Sequence, residues 1–296
     1  MADGLVLTRR VSERGVHETA QRAGRGPGAV VARAYVGYEE WPSPAFYRRE
    51  VARHGVALIL GFGDPLDLYD ESVAAGAAAR SLGAFVVGNQ LGSSLTRVGG
   101  HQHGVQVELT PAGALALLGD VEAYNDAVVP LDEALGSGAV HLLERLAETP
   151  SWAERLDLLD AAFDDTDGVA ALSPEVAWLR RQLDESGGRA RVEPLMDETG
   201  WSRRHVTERF RRQLGVSPKS YARLLRFEQA SWLLAQPASG RTVADVATEA
   251  GYYDQSHLTR DFVALAGVTP GTFLAKEELE PEVRFVQDNG PASRAQ

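Results

Sequence analysis

Phe210 is followed by Leu214-Gly215-Val216-Ser217-Pro218, and Phe262 by Ala266-Gly267-Val268-Thr269-Pro270, with every matched position 52 residues apart. One helical unit is therefore present twice. Upstream of each Phe a glycine precedes an aromatic residue, in Gly200-Trp201-Ser202 and in Gly251-Tyr252-Tyr253, with one extra residue in the second copy. A glycine turn between two short helical segments is the layout of a helix-turn-helix. Two such units on one stiff helix can set two helices into successive major grooves on one face of a duplex. The chain is thus expected to read double-stranded DNA.

In the first unit the pattern predicts a supporting helix over 192–199 and a second helix, capped by Ser202, running to about Gln213. Val206, Phe210 and Leu214 stand at i, i+4 and i+8 and face the core. Arg204, Thr207, Glu208 and Arg211 are left outward, with Arg203 at the helix start as a further base-reading candidate. Arg can hold guanine O6 and N7 together, Thr can meet a thymine methyl, and Glu can accept from cytosine N4. In the second unit Thr242 and Asp245 form a capping box, Val246 and Ala247 pack inward, Gly251 turns the chain and Asp254 caps the second reading helix. Its apolar Leu258, Phe262 and Leu265 leave Ser256, His257, Thr259 and Arg260 outward. Arg260 is the best base reader there; for His257, capping or phosphate contact competes with base reading.

The connecting helix opens at Ser217-Pro218, and Gln236-Pro237 stops it. Its roughly 18 residues span about 27 Å, which with the flanking turns approaches the ~34 Å between major grooves one turn apart. Tyr221, Leu224, Phe227, Ala230 and Leu233 form one stripe against both units. Lys219, Arg223 and Arg226 form another, available to phosphate.

A net charge of −11 hides a division along the chain: residues 1–171 carry 13 basic and 24 acidic side chains, residues 172–276 carry 15 and 12, and the remainder 2 and 5. Between Arg203 and Arg226 eight basic residues stand against one acid, Glu208. Such a patch suits phosphates. A solvated helix face is the commoner fate of charged side chains, but repeat, caps and spacing together outweigh it here. Cysteine is absent, which removes disulfides, thiolate zinc sites, cysteine nucleophiles and thiol redox sensing. The most apolar runs, such as Val56 to Phe62, fall far short of the ~20 residues of a membrane span. The N-terminus lacks an export pattern, so a cytoplasmic location with no membrane association is expected.

From Ala29 to about Leu109, short runs rich in Val, Ile, Phe and Tyr alternate with Gly, Pro and Asp, as in an antiparallel β domain. The expected strands are Ala29 to Tyr38, Tyr47 to Arg53, Val56 to Gly61, Ala84 to Gly88 and Val105 to Leu109. Thr110-Pro111 opens a short helix through Leu118. Helix follows from Ala139 to Ala162, with Ser151 and Glu154 as a capping box, expected to cover the barrel or to join two protomers. Asp164 to Gly168 reads as a hinge, and Ser173-Pro174-Glu175 starts the next helix. The divisions are 1–135 for a β-rich sensor, 136–171 for a helical linker or dimerisation segment, 172–276 for the DNA-binding domain and 277–296 for an acidic mobile tail.

Residues 173–276 resemble, over its full length, the DNA-binding domain of the AraC family of transcription regulators. The motifs that carry this are Gly200-Trp201-Ser202-Arg203-Arg204-His205, Gly215-Val216-Ser217-Pro218-Lys219 and Gly251-Tyr252-Tyr253-Asp254-Gln255-Ser256-His257-Leu258-Thr259-Arg260-Asp261-Phe262. The resemblance implies base contacts from Arg204, Thr207 and Glu208, then from Ser256, Thr259 and Arg260. Leu58-Ile59-Leu60-Gly61-Phe62-Gly63-Asp64-Pro65 and Gly104-Val105-Gln106-Val107-Glu108-Leu109-Thr110-Pro111 resemble the barrel-like sensor domain of a group of such regulators that includes actinobacterial members. This implies binding of a small-molecule effector or dimerisation. The fold class expected is α+β: an N-terminal antiparallel, cupin-like β-barrel with flanking helices, then an all-α domain of two helix-turn-helix units on a long linker helix. The function expected is sequence-specific transcription regulation, with no catalytic residue, no metal and no cofactor; a homodimer and RNA polymerase are candidate partnerships.

His101-Gln102-His103 with Glu108 imitates the spacing by which cupin enzymes hold a metal. The glycine and later histidine of that pattern are not evident, so two partly exposed loop histidines are the default, and a cupin-type metal enzyme with a DNA-binding appendage is the alternative function. Tyr35, Tyr38, Trp41, Phe46 and Tyr47 could line a ligand cavity, but alternating aromatics more often pack a barrel. A fused DNA-repair alkyltransferase would need a cysteine acceptor, which the chain lacks.

Overall fold

The structure, a computed structural model, describes residues 5–12, 15–22, 31–70, 80–163, 171–236 and 240–279. They fall into two compact units: residues up to 48 with 55–89 and 94–172, and residues 49–54, 90–93 and 173 onward. The expected hinge at 164–168, the first two residues of the strand expected from Ala29, and the tail beyond 279 lie outside the described residues.

The β region comprises β1 (Leu5–Ser12), β2 (Gly15–Arg22), β3 (Ala32–Pro42), β4 (Phe46–Glu50), β5 (Ala57–Gly61), β6 (Leu66–Asp70), β7 (Arg80–Leu82), β8 (Ala84–Val87), β9 (Ser94–Val98), β10 (Gln102–Leu109) and β11 (Val128–Pro130). They form a seven-stranded sheet in the order β1-β2-β3-β10-β5-β8-β11 and a four-stranded sheet in the order β4-β9-β6-β7. The antiparallel β architecture is as expected, and the barrel is not closed: among the described residues both sheets are open. The central strands owe their place to alternation. Val105, Val107 and Leu109 of β10 are buried, and Val105 and Val107 lie opposite Leu60 and Leu58 of β5, so one face of each strand leaves water together.

The α-helices described in this unit are α1 (Pro111–Leu118), α2 (Leu131–Glu148) and α3 (Trp152–Phe163). Thr110 caps α1 by accepting from the Gly113 amide. The helical stretch expected over 139–162, with its capping box at Ser151 and Glu154, is divided between α2 and α3: proline cannot continue α2, and Ser151 restarts the chain by accepting from the Glu154 amide. Leu146, Leu156, Leu159 and Phe163 join Leu58, Leu60, Val105 and Val107 in one core; each such side chain contributes about 1.5–3 kcal/mol by leaving water.

The second unit is helical: α4 (Pro174–Glu185), α5 (Val192–Glu198), α6 (Arg203–Leu214), α7 (Pro218–Ala235), α8 (Val243–Glu249), α9 (Gln255–Ala266) and α10 (Pro270–Leu279). Ser173 starts α4 as expected, but its hydroxyl and amide both donate to Gln213 Oε1 and do not cap the helix. The stripe Tyr221, Leu224, Phe227, Ala230 and Leu233 is buried along α7. Residues 49–54 and 90–93 belong to this unit as well. Val51 and Ala52 lie in the core that holds Phe227 and Phe262, the Ala52 amide donates to Leu265 O at 2.9 Å, and Glu228 Oε1 accepts from the His54 amide and lies 2.6 Å from its Nδ1. The strand expected from Tyr47 to Arg53 therefore ends at Glu50, and its last residues fill a helical core.

Candidate nucleic-acid interface

The duplication seen in the sequence recurs in the caps and cores of α6 and α9. Ser202 accepts from the His205 amide and Asp254 from the His257 amide, so α6 and α9 start in the same way. Both run 12 residues and both end on a left-handed glycine, Gly215 at φ 80° and Gly267 at φ 68°. Phe210 packs edge-on to Tyr221 at 5.6 Å, and Phe262 edge-on to Phe273 at 5.2 Å. The capping box of α8 is present, with Thr242 and Asp245 bonded reciprocally; the Thr242 bonds hold the Asp245 carboxyl below its ordinary pKa.

With Val206, Phe210 and Leu214 buried on α6 and Leu258, Phe262 and Leu265 on α9, the opposite faces carry the expected readers. Arg204, Glu208 and Arg211 are exposed, and Thr207 is half-buried between them. Spacings of three, four and seven residues align these four on one stripe. The equivalent stripe of α9 is Ser256, Thr259, Arg260 and Val263. Thr207 Oγ1 donates to Arg203 O and Thr259 Oγ1 to Gln255 O, at 2.8 and 2.9 Å. With the hydroxyl hydrogens committed to their own helices, the methyls are the free part of both threonines. Among the described residues Arg204 and Arg211 have no ion pair, whereas Glu208 Oε1 accepts from Arg212 Nη2 at 3.4 Å.

Other expected contacts have internal partners. Arg203 makes a two-point bond to Asp197 at 2.8 and 2.7 Å, tying the start of α6 to α5 and holding the Asp197 carboxyl below its ordinary range. Lys219 Nζ lies 2.6 Å from Glu193 Oε1. Arg223 Nε donates to Asp261 of α9 at 2.9 Å, and Arg226 Nη1 donates to Gly188 O at 2.7 Å. On α7, Arg223 and Arg226 thus brace the helix against its neighbours from a partly exposed position, and Lys219 is the exposed one of the three. The His257 ring lies 5.1 Å from Tyr252, edge to face.

Two surface residues escaped the sequence reading. Val263 is 47% exposed at the end of the α9 stripe, and Tyr253 is 92% exposed at its mouth. Both are apolar or aromatic, which periodicity assigns to a core by default; comparison of the two repeats was the available signal.

In the β unit the supposed metal motif comes apart. His103 lies within β10 and not in a loop; Glu108 stands five positions further on, an odd offset that puts the two on opposite faces of the strand. His101 bonds Glu39 at 2.9 Å and stacks on Trp41 at 5.0 Å. His103 contacts Phe62, Trp152 and Arg155. Three of the candidate cavity aromatics lie apart: Tyr35 stacks on Phe163, Trp41 is on the surface, and Tyr47 is exposed against Tyr69. Burial pushes the Tyr38 hydroxyl up to about 12.

Two consecutive helix-turn-helix units on one shared rod, with their second helices capped in the same way, define a DNA-binding module. Residues 195–276 match the family described as a helix-turn-helix domain, and the C-terminal region is an AraC-type helix-turn-helix domain. The chain is 33% identical over 120 residues, 40% of its length, to the uncharacterized HTH-type transcriptional regulator YbfI of Bacillus subtilis, and the match spans 39% of that relative. Similar solved structures include ToxT from Vibrio cholerae, 10% identical with a TM-score of 0.45, covering 78% of this chain and 97% of that one. The DNA-binding domain of AdpA in complex with a target DNA is 29% identical with a TM-score of 0.31, covering 38% of this chain and 96% of that one. Among the described residues no helix is long and apolar enough to cross a membrane.

Proposed function

We propose that the whole chain is a sequence-specific transcription regulator in which α6 and α9 enter successive major grooves. The observation that carries this is the paired stripe: Arg204, Thr207, Glu208 and Arg211 on one helix, Ser256, Thr259, Arg260 and Val263 on the other, at matching positions behind matching caps. The two stripes differ in chemistry, so the half-sites they prefer differ in sequence. The first suits guanine, thymine and cytosine edges through Arg, Thr and Glu; the second suits guanine through Arg260 and thymine methyls through Thr259 and Val263. Arg203 and Lys219 can trade an exposed carboxylate for a phosphate, and His257 is assigned to phosphate contact ahead of base reading.

The β unit acts in this reading as a sensor for a small-molecule effector, and a homodimer contacting RNA polymerase is the working assembly. The cupin-enzyme reading loses its support with the separation of His103 from Glu108. Selection of duplexes by the full-length protein tests the proposal. Enrichment of one asymmetric site of two unlike halves, about one helical turn apart, is the expected result; enrichment of no sequence at moderate salt would refute it.

A further inference from the structure

The two turns share a left-handed glycine followed by an aromatic residue, and differ in length by one residue. In the first, Trp201 follows Gly200 and packs edge-on against His205, the third residue of α6, at 4.7 Å. In the second, Tyr252 follows Gly251 and packs edge-on against His257, the third residue of α9, at 5.1 Å. Tyr252 is 5% exposed and its amide donates to Ala247 O. Tyr252 therefore does the work of Trp201, and the extra residue of the second copy is Tyr253. That residue has no counterpart in the first turn, makes no ring contact among the described residues, and is 92% exposed.

An aromatic side chain left in water gains nothing for the fold, and tyrosine hydroxyls are among the groups that bond DNA phosphates. Tyr253 directly precedes Asp254, whose carboxylate is committed to the His257 amide at 2.7 Å. The base-facing Ser256 and Arg260 lie further along the same helix. We infer that Tyr253 is a backbone-positioning residue for the second half-site, donating its hydroxyl to a phosphate oxygen while its ring covers the adjoining deoxyribose. The inference rests on the DNA-reading proposal and adds a contact that the first unit does not possess, so that the second reading helix is registered on its strand by a neutral group.

The test uses full-length protein and a duplex selected by the wild type. Tyr253→Phe should weaken binding about 3- to 10-fold, the effect of one lost hydrogen bond, and Tyr253→Ala should weaken it further, with folding unchanged. The loss should be uniform across base substitutions, and the dependence on salt should keep its slope, since no counterion release attends a neutral contact; Lys219→Ala, by contrast, should lower that slope by about 1. Replacing phosphates one at a time by methylphosphonates should expose one position that matters to wild type and not to Tyr253→Phe. Wild-type affinity in both variants, or an altered base preference, would overturn the inference while leaving the DNA-reading proposal intact; failure to select any duplex would overturn both.

Discussion

Arg155 Nη1 lies 3.1 Å from His103 Nε2, and because guanidinium can only donate, the imidazole nitrogen must be the acceptor. Arg155 is itself 6% exposed, with Nε donating to Leu146 O and its plane over Phe62 and Trp152. The contact between β10 and α3 therefore requires a neutral His103.

Burial is the main cause that lowers the His103 pKa; Arg155 and His101 act in the same direction and Glu39 opposes them. A folded pKa below the unfolded value of ~6.5 means that this stabilisation is complete above about pH 6.5 and is lost as pH falls through the lowered value. The β unit should melt at progressively lower temperature below pH 6.5, and His103→Gln, which keeps an acceptor but cannot titrate, should flatten that slope. Identical slopes in thermal melts of the two proteins would show that another group controls the acid response.

On a selected duplex, Arg204→Ala and Arg260→Ala should each cost about 1–3 kcal/mol and relax preference at one base pair. Arg203→Ala should cost less base discrimination, since Arg203 already holds Asp197. Titrations against the cognate site and its single-base variants decide this. Equal losses on all sequences for Arg204 and Arg260 would remove them from the base-reading set.

Arg223 behaves differently in this view. Its partner Asp261 is 8% exposed, so Arg223→Ala leaves a buried carboxylate short of a donor and should destabilise the helical unit by about 1–3 kcal/mol. Adding Asp261→Ala should recover part of that loss. A double-mutant cycle by denaturant unfolding with no coupling between the two would contradict the bracing role.

Phe262 is fully buried between Phe227 and Phe273, at ring distances of 5.0 and 5.2 Å. Phe262→Ala should cost about 3–5 kcal/mol, seen as loss of hydrogen-exchange protection along α9. Protection at the wild-type level would mean that the cavity collapses without penalty.

The helical half was legible because its signals are local: Ser202, Ser217, Thr242 and Asp254 each cap the helix that their residue type announces, and the 52-residue repeat fixes the core. What stayed hidden is set by contacts distant in sequence. Nothing in Val51-Ala52-Arg53-His54 announces that it fills a core with Phe262 some 200 residues on. The hairpin of β1 and β2 was missed because Val6, Leu7 and Val11 are exposed, which leaves no alternation to read. The ion pair of Arg223 with Asp261 and the bond of Arg226 to Gly188 O were equally invisible, since a basic stripe looks the same whether it faces phosphate or the protein's own acceptors.

Tyr221 touches Phe210 near the start of α7, and Phe227 touches Phe262 further along the same helix. Neither reader owns a hydrophobic interior that survives without this common beam. Thermal loss of one should pull the other down in a single cooperative transition, and a substitution that loosens the grip on one half of an operator will also be felt, at a distance, on the other.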